Sequence, residues 1–205
     1  MTWQEFVRSL CDGPVVLFST ATTGVTHSDE LLAVSWCKID SDDVVEKGTF
    51  FHSVPAEQAL NGAQYHKITV HNLSLNGLET EEFIGKVHGL LDGAIPFSYN
   101  PPFQLMALNE MCECEIPFVA DLAHLTSCAM NHRGLSSDDI EKMVSIRQLM
   151  GMLWGKTGSP PPFKRVMKML GIEVDPYSDE LPVVTNVQIL RSFWNALSDF
   201  ELVVY

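Results

Sequence analysis

The chain reads as an α/β domain. Three observations lead there: short β-rich apolar runs in the first half, helical periodicity through the second half, and Gly and Pro clusters separating the segments. Residues 3–10 place Trp3, Phe6, Val7 and Leu10 at helical spacing until Asp12-Gly13-Pro14 breaks the pattern, so a lead-in helix is expected within residues 1–13. β-Rich runs follow at 15–18, 31–37 and 49–54, and their separations suit a meander of antiparallel neighbours.

Residues 76–91 carry Phe83, Ile84, Val87, Leu90 and Leu91 on one face. Glu79, Glu81 and Glu82 stand near the start, where the helix dipole favours acids, and a helix is predicted. After Gly93, Ile95-Pro96-Phe97-Ser98-Tyr99 reads as a buried strand, and Pro101 suits the first turn of the next helix. A strand at 116–120 then precedes an apolar helix over 122–130. Ser136-Ser137-Asp138-Asp139 caps a helix expected to run to Trp154. Residues 158–162 form a Gly/Pro loop, and helices over 163–170 and 185–197 complete what is expected to be one domain spanning 1–205. Met143, Met150, Met152, Met167, Met169, Phe193 and Trp194 are expected to fill the core between the late helices and the sheet.

Composition narrows the function classes. The formal charge of −13 opposes a polyanion over any extended surface, because nucleic-acid affinity is built largely from Lys and Arg neutralising phosphates. The cations Lys164, Arg165 and Lys168 read as the solvated face of a short helix. Five cysteines, irregularly spaced, argue for reduced thiols. No stretch reaches the roughly 20 apolar residues of a spanning helix and the start lacks a basic segment before an apolar one, so a cytoplasmic protein with no membrane association is expected.

The segment Leu17-Phe18-Ser19-Thr20-Ala21-Thr22-Thr23-Gly24 resembles the first motif of the DnaQ-like (DEDD-type) 3′–5′ exonucleases, a strand ending in Asp-x-Glu-Thr-Thr-Gly. Asp29-Glu30-Leu31-Leu32-Ala33-Val34-Ser35 is similar to that family's second strand, and His66-Lys67-Ile68-Thr69 to its His-x-Ile-Thr ahead of a helix. Pro96-Phe97-Ser98-Tyr99-Asn100-Pro101-Pro102-Phe103-Gln104 resembles His/Tyr-Asn-x-x-Phe-Asp, and Phe118-Val119-Ala120-Asp121-Leu122 the fifth strand and its turn. The resemblance covers residues 14–197. It implies a ribonuclease-H-like fold: a mixed five-stranded sheet with helices on both faces, the first three strands antiparallel and the fourth and fifth parallel to the first.

The resemblance also implies hydrolysis by two divalent cations, Mg2+ or Mn2+, which need anionic oxygen ligands. Here Ser19, Ala21 and Gln104 stand at the acidic positions, and alignment of the last motif puts Asn186 at the remaining aspartate and Leu181 at the general base. None offers a negative charge, and leucine accepts no proton. The leading expectation is therefore a non-catalytic, cofactor-free protein with a binding or regulatory role and a protein partner. An exonuclease using substitute ligands such as Asp121 is one alternative; Asp12, Asp29 and Glu30 are the other acids near these motifs in sequence. Single-strand nucleic-acid binding without cleavage is the other, with a terminal nucleotide against Thr20, Thr22, Thr23 and Phe103.

Cys112, Cys114, His124, Cys128 and His132 are the densest set of soft-metal ligands, the last three spaced to share one helical face. Cys-x-Cys is not the usual zinc knuckle spacing, and buried Cys on an apolar helix acts as a small hydrophobe. Gly155-Lys156-Thr157 looks like the end of a phosphate-binding loop, but Met150 replaces the required glycine and a helix end is the better reading.

Overall fold

The computed structural model describes residues 1–24, 26, 29–40, 43–112, 116, 118–159, 161–175 and 177–205, and of Cys112 the backbone. The first half contains α1 (Trp3–Ser9), β1 (Val15–Thr22), β2 (Leu31–Asp40), β3 (Asp43–His52), α2 (Ala56–Ala59), α3 (Ala63–His66), α4 (Val70–Asn76), β4 (Gly77–Leu78), α5 (Thr80–Leu91) and β5 (Ile95–Ser98). There follow α6 (Pro101–Cys112), β6 (Ala120–Asp121), α7 (Leu122–Met130), α8 (Ser137–Lys142), α9 (Ile146–Thr157), α10 (Phe163–Met169), α11 (Pro182–Ala196) and a 3-10 turn, Leu197–Asp199. Among the described residues no helix is long and apolar enough to cross a membrane.

The sheet order is β4-β3-β2-β1-β5-β6. β1, β2 and β3 pair antiparallel, β5 lies parallel to β1, and β6 parallel to β5. This is the expected ribonuclease-H-like mixed sheet, extended by a sixth strand: β4 pairs with Phe51 and His52 at the outer edge of β3. The helix expected over 76–91 begins only at Thr80, because Gly77 ends α4 by donating its N–H to Leu73 O and turns the chain into β4. The helix expected from Ser136 to Trp154 is two: Ser145 has extended backbone and its hydroxyl caps α9 through Gln148 N. The fifth expected strand shrinks to Ala120–Asp121, since only these residues meet β5. α11 begins at Pro182, three residues early, with proline in its first turn.

Strand alternation divides the core. Val15 and Leu17 face α7 and α11 with Trp3, Phe193 and Trp194, whereas Val16 and Phe18 face α5 and α6 with Phe83, Val87 and Leu108. Each such buried aromatic or aliphatic side chain stabilises the fold by about 1.5–3 kcal/mol. Phe97 and Trp194 add an edge-to-face contact at 5.6 Å. Of the methionines, Met150 is buried, but Met169 is 40% exposed because it ends α10 on its outer side. A third, smaller cluster of Ala21, Leu32, Ile68, Leu73 and Val183 lies where β1 ends against α11.

Candidate functional site

Two local devices place the key side chains at the C-terminal end of β1, where α/β sheets commonly bind ligands. Asn100 adopts positive φ (48°) ahead of Pro101, and its carbonyl accepts from Phe103 N and Gln104 N, so Gln104 enters in the first turn of α6. Leu181 O likewise accepts from Val184 N and Thr185 N, starting α11 so that Val183 and Asn186 share its sheet-facing side.

Gln104 is fully buried. Its Oε1 accepts from Thr20 N at 3.0 Å and from Thr20 Oγ1 at 2.8 Å. The backbone N–H is an obligate donor, so the amide oxygen must face it; Nε2 is then left with no partner among the described residues. Asn186 Nδ2 donates to Ser19 Oγ (3.3 Å) and to Tyr99 OH (3.0 Å). Tyr99 stacks on Phe163 at 4.3 Å, and burial raises the phenol's pKa against the pull of a hydrogen bond with Ser19. Ala21 contributes only a methyl group to the apolar cluster beneath.

Above this floor is a cavity of about 420 Å³. Thr20, Thr22, Thr23 and Phe103 all line it, together with Ala21, Asn186, Tyr65, Tyr99 and His66. Its described lining carries no carboxylate, lysine or arginine. Both nitrogens of His66 are committed, Nε2–H to Asn61 O (2.9 Å) and Nδ1 to Ile68 N–H (2.9 Å). Gly62 lies beneath with φ 68°, where a Cβ would sit 2.7 Å from Thr23 O. At the rim, Asp29 accepts from Thr23 Oγ1, Thr26 N and Thr26 Oγ1, which hold its carboxylate below the usual range, Thr26 most strongly. Gly24 lies beside it, and a Cβ there would fall 2.5 Å from Asp29 Oδ1 and displace that carboxylate.

The structure thus brings Ser19, Ala21, Thr20, Gln104 and Asn186 together. Leu181 stands apart from the cavity lining, its side chain packed on the apolar cluster around Ala21. Asp121 lies two strands away from β1 and its carboxylate caps α7, accepting from His124 N at 3.0 Å; burial pushes its pKa up to about 6. Asp12 precedes β1 and is therefore at the opposite end of that strand. Ser19, Gln104 and Asn186 offer only neutral oxygens, those of Ser19 and Gln104 already engaged, so the residues present do not fit a pair of divalent cations. Sequence reasoning missed Tyr99, although it heads the Tyr-Asn-x-x-Phe run, and Tyr65, for which no sequence signal exists.

Of the soft-metal set, the described members His124, Cys128 and His132 do not converge. α7 ends at Met130, so His132 leaves the shared face, adopts φ 49° and meets the Phe200 ring. Cys114 and the side chain of Cys112 lie outside the described residues. Thr157 Oγ1 donates to Leu153 O (2.8 Å), so His124 Nε2 must donate to it (2.6 Å). Burial lowers the His124 pKa and pushes the Cys128 thiol up to about 11. Among the described residues no three His, Cys, Asp or Glu side chains gather as metal ligands. Gly155-Lys156-Thr157 ends α9, with Lys156 paired to Asp139 at 2.9 Å.

The sheet order, with β5 parallel to β1 and β6 parallel to β5, gives the chain a ribonuclease-H-like fold similar to that of solved exonucleases. The particular similarity is to exonuclease I. The zinc-bound form of the E. coli ExoI–ssDNA complex matches with a TM-score of 0.61 at 15% identity, covering 91% of this chain and 40% of that one. Product-bound exonuclease I matches with a TM-score of 0.57 at 16% identity over 91% of this chain and 45% of that one. The ExoI/SSB-Ct complex matches with a TM-score of 0.55 at 17% identity over 91% and 43%. The chain thus spans less than half the length of these neighbours. No protein-family model matches the sequence, and no curated protein does.

Proposed function

We propose that this chain is a catalytically inert, exonuclease-like protein that acts by binding. The observation that carries this reading is the neutral floor of the cavity, where Gln104 spends its amide oxygen on Thr20 and Asn186 its amide nitrogen on Ser19 and Tyr99. Hydrolysis of a phosphodiester by two cations needs carboxylates at these places and a base at the rim, and the rim acid Asp29 is committed to its own turn. On this reading the chain has no resident metal, works in the cytoplasm and engages a protein partner, to which an acidic surface is better suited than to nucleic acid. The test is a nuclease assay with Mg2+ and Mn2+ on repeatedly purified protein. No nucleotide release above a no-protein control is expected, and dose-proportional release that survives purification sinks the proposal. Calorimetric titration with Mn2+ is expected to give no binding heat.

A second reading is favoured by one observation: Thr20, Thr22, Thr23 and Phe103 line a single cavity with Tyr65, which is 77% exposed at its mouth. Such a site stacks and hydrogen-bonds a terminal nucleotide without cutting it. Fluorescence anisotropy of a labelled oligothymidylate in EDTA tests it. Saturable binding with a steep salt dependence supports this reading, and none above background removes it.

A further inference from the structure

Beside the cavity, sharing Asn186 and Pro182 with it, a groove of about 600 Å³ runs between α10, residues 171–175 and 178–180, and α11. Its floor is apolar, formed by Met167, Ile172 and Ile189. One side carries Lys164 and Lys168, and the residues after α10 bring Glu173, Asp175 and Glu180. Asp175 and Glu180 each use one oxygen locally, on Tyr177 N and Gln188 Nε2, and so keep acceptor capacity. Lys164, Lys168 and Glu173 are exposed and make no ion pair among the described residues. Val174 and Tyr177, 40% and 89% exposed, stand in the same segment.

We infer that this groove is the docking site for a short peptide segment of a protein partner. The segment places an apolar side chain on the floor, an acidic one towards Lys164 and Lys168, and a basic one towards Glu173 and Asp175. Charge decides the class of occupant. Lysines and carboxylates both line the groove, so a polyanion meets as much repulsion as attraction, whereas a peptide with side chains of both signs satisfies each. Tyr177 in this segment and Met167 in the groove are of the aromatic and Met types in which protein contacts are enriched. This inference rests on the reading that the chain acts by binding, and names where.

A displayed library of random peptides, selected on the intact chain, is the probe. Selected sequences are expected to combine an apolar residue with an acid and a base. The synthesised, labelled peptides are expected to lose about tenfold in affinity for the Lys164→Glu, Lys168→Glu double variant. Both positions are exposed, and an unchanged melting temperature checks that the variant folds. Reversing the acidic residue of the peptide to lysine is expected to restore its binding. Three results overturn the inference: no enrichment, equal affinity for the double variant, or displacement of the peptide by oligothymidylate. Nuclease activity is measured on the same preparation, so failure of the groove and failure of the inert reading give different signals.

Discussion

Two buried polar places lie at the ends of strands two apart in the sheet and solve the same problem differently. At the end of β1 every group is neutral, and Gln104 and Asn186 satisfy Thr20, Ser19 and Tyr99 side chain to side chain or to backbone. At the end of β6 a carboxylate persists: Asp121 is 4% exposed and holds the N-terminus of α7. Even with the N–H groups of His124 and Ala123 donating to it, burial raises its pKa to about 6. One helix terminus does not fully offset the desolvation of one acid. Several acids converging at β1 would repel one another as well, and only cations would make them tolerable. Neutral side chains at positions 19, 21, 104 and 186 bring no such repulsion to the end of β1.

The strongest way to break that comparison is to put the acids back. The combined variant Ser19→Asp, Ala21→Glu, Gln104→Asp, Asn186→Asp is expected to lose more than ~5 kcal/mol of unfolding free energy in EDTA. Added Mn2+ is expected to recover part of the loss, whereas the parent chain gains nothing from it. Urea unfolding with and without Mn2+ measures both, and a variant as stable as the parent in EDTA removes the argument. Next in size is Gln104→Leu, which strands the Thr20 N–H and hydroxyl and is expected to cost about 3 kcal/mol. Gln104→Glu keeps an acceptor for both, and its stability is expected to fall with rising pH as a buried carboxyl is forced to ionise.

Asp121 gives a comparable effect with a pH signature. Its folded pKa of about 6 exceeds its ordinary value of 3.8, so the native state holds the proton more tightly than the unfolded chain. Its contribution is greatest below pH 3.8, falls as pH rises through about 6, and is then flat. The full drop corresponds to about 3 kcal/mol. Asparagine caps a helix equally well, so Asp121→Asn is expected to lack this slope and to be the more stable chain at neutral pH. Denaturant midpoints for the two proteins across that range isolate the difference, since Asp29 and every other acid is common to both.

Much of this comparison was readable before any coordinates. The run Val15-Val16-Leu17-Phe18 marks β1, and the Thr-Thr-Gly turn and Phe103-Gln104 fix where Ser19, Ala21 and Gln104 fall. Asn186, placed by alignment of the last motif, lies within hydrogen-bonding distance of Ser19. Leu181 does not line the cavity, because the residue before a helix start can pack sideways and sequence spacing alone does not say which way. β4 has two residues and no periodicity to detect; its pairing with β3 creates it. The break before α9 did carry a signal, Ser145 three residues ahead of Gln148, but continuous helical periodicity on both sides masks it. Tyr65 joins the cavity only because α3 folds back over the end of β1, a tertiary event without local trace.

The finest division of the comparison concerns whether the neutral floor is a set of separate bonds or one unit. Asn186 Nδ2 serves both Ser19 Oγ and Tyr99 OH, so one amide group links the two hydroxyls beside their own hydrogen bond. Tyr99→Phe removes the phenol and keeps the ring that stacks on Phe163, at an expected cost of about 1 kcal/mol. Ser19→Ala removes the other acceptor at a similar cost. If the amide acts as a bridge, the second substitution leaves Nδ2 with neither partner. The double variant then loses more than the two single losses together, by about 0.5–1 kcal/mol. A double-mutant cycle by urea unfolding measures that excess. Strict additivity means that the amide finds other partners for each N–H, and that α11 is held to β1 by packing of Val183 and Val187 rather than by this polar bridge.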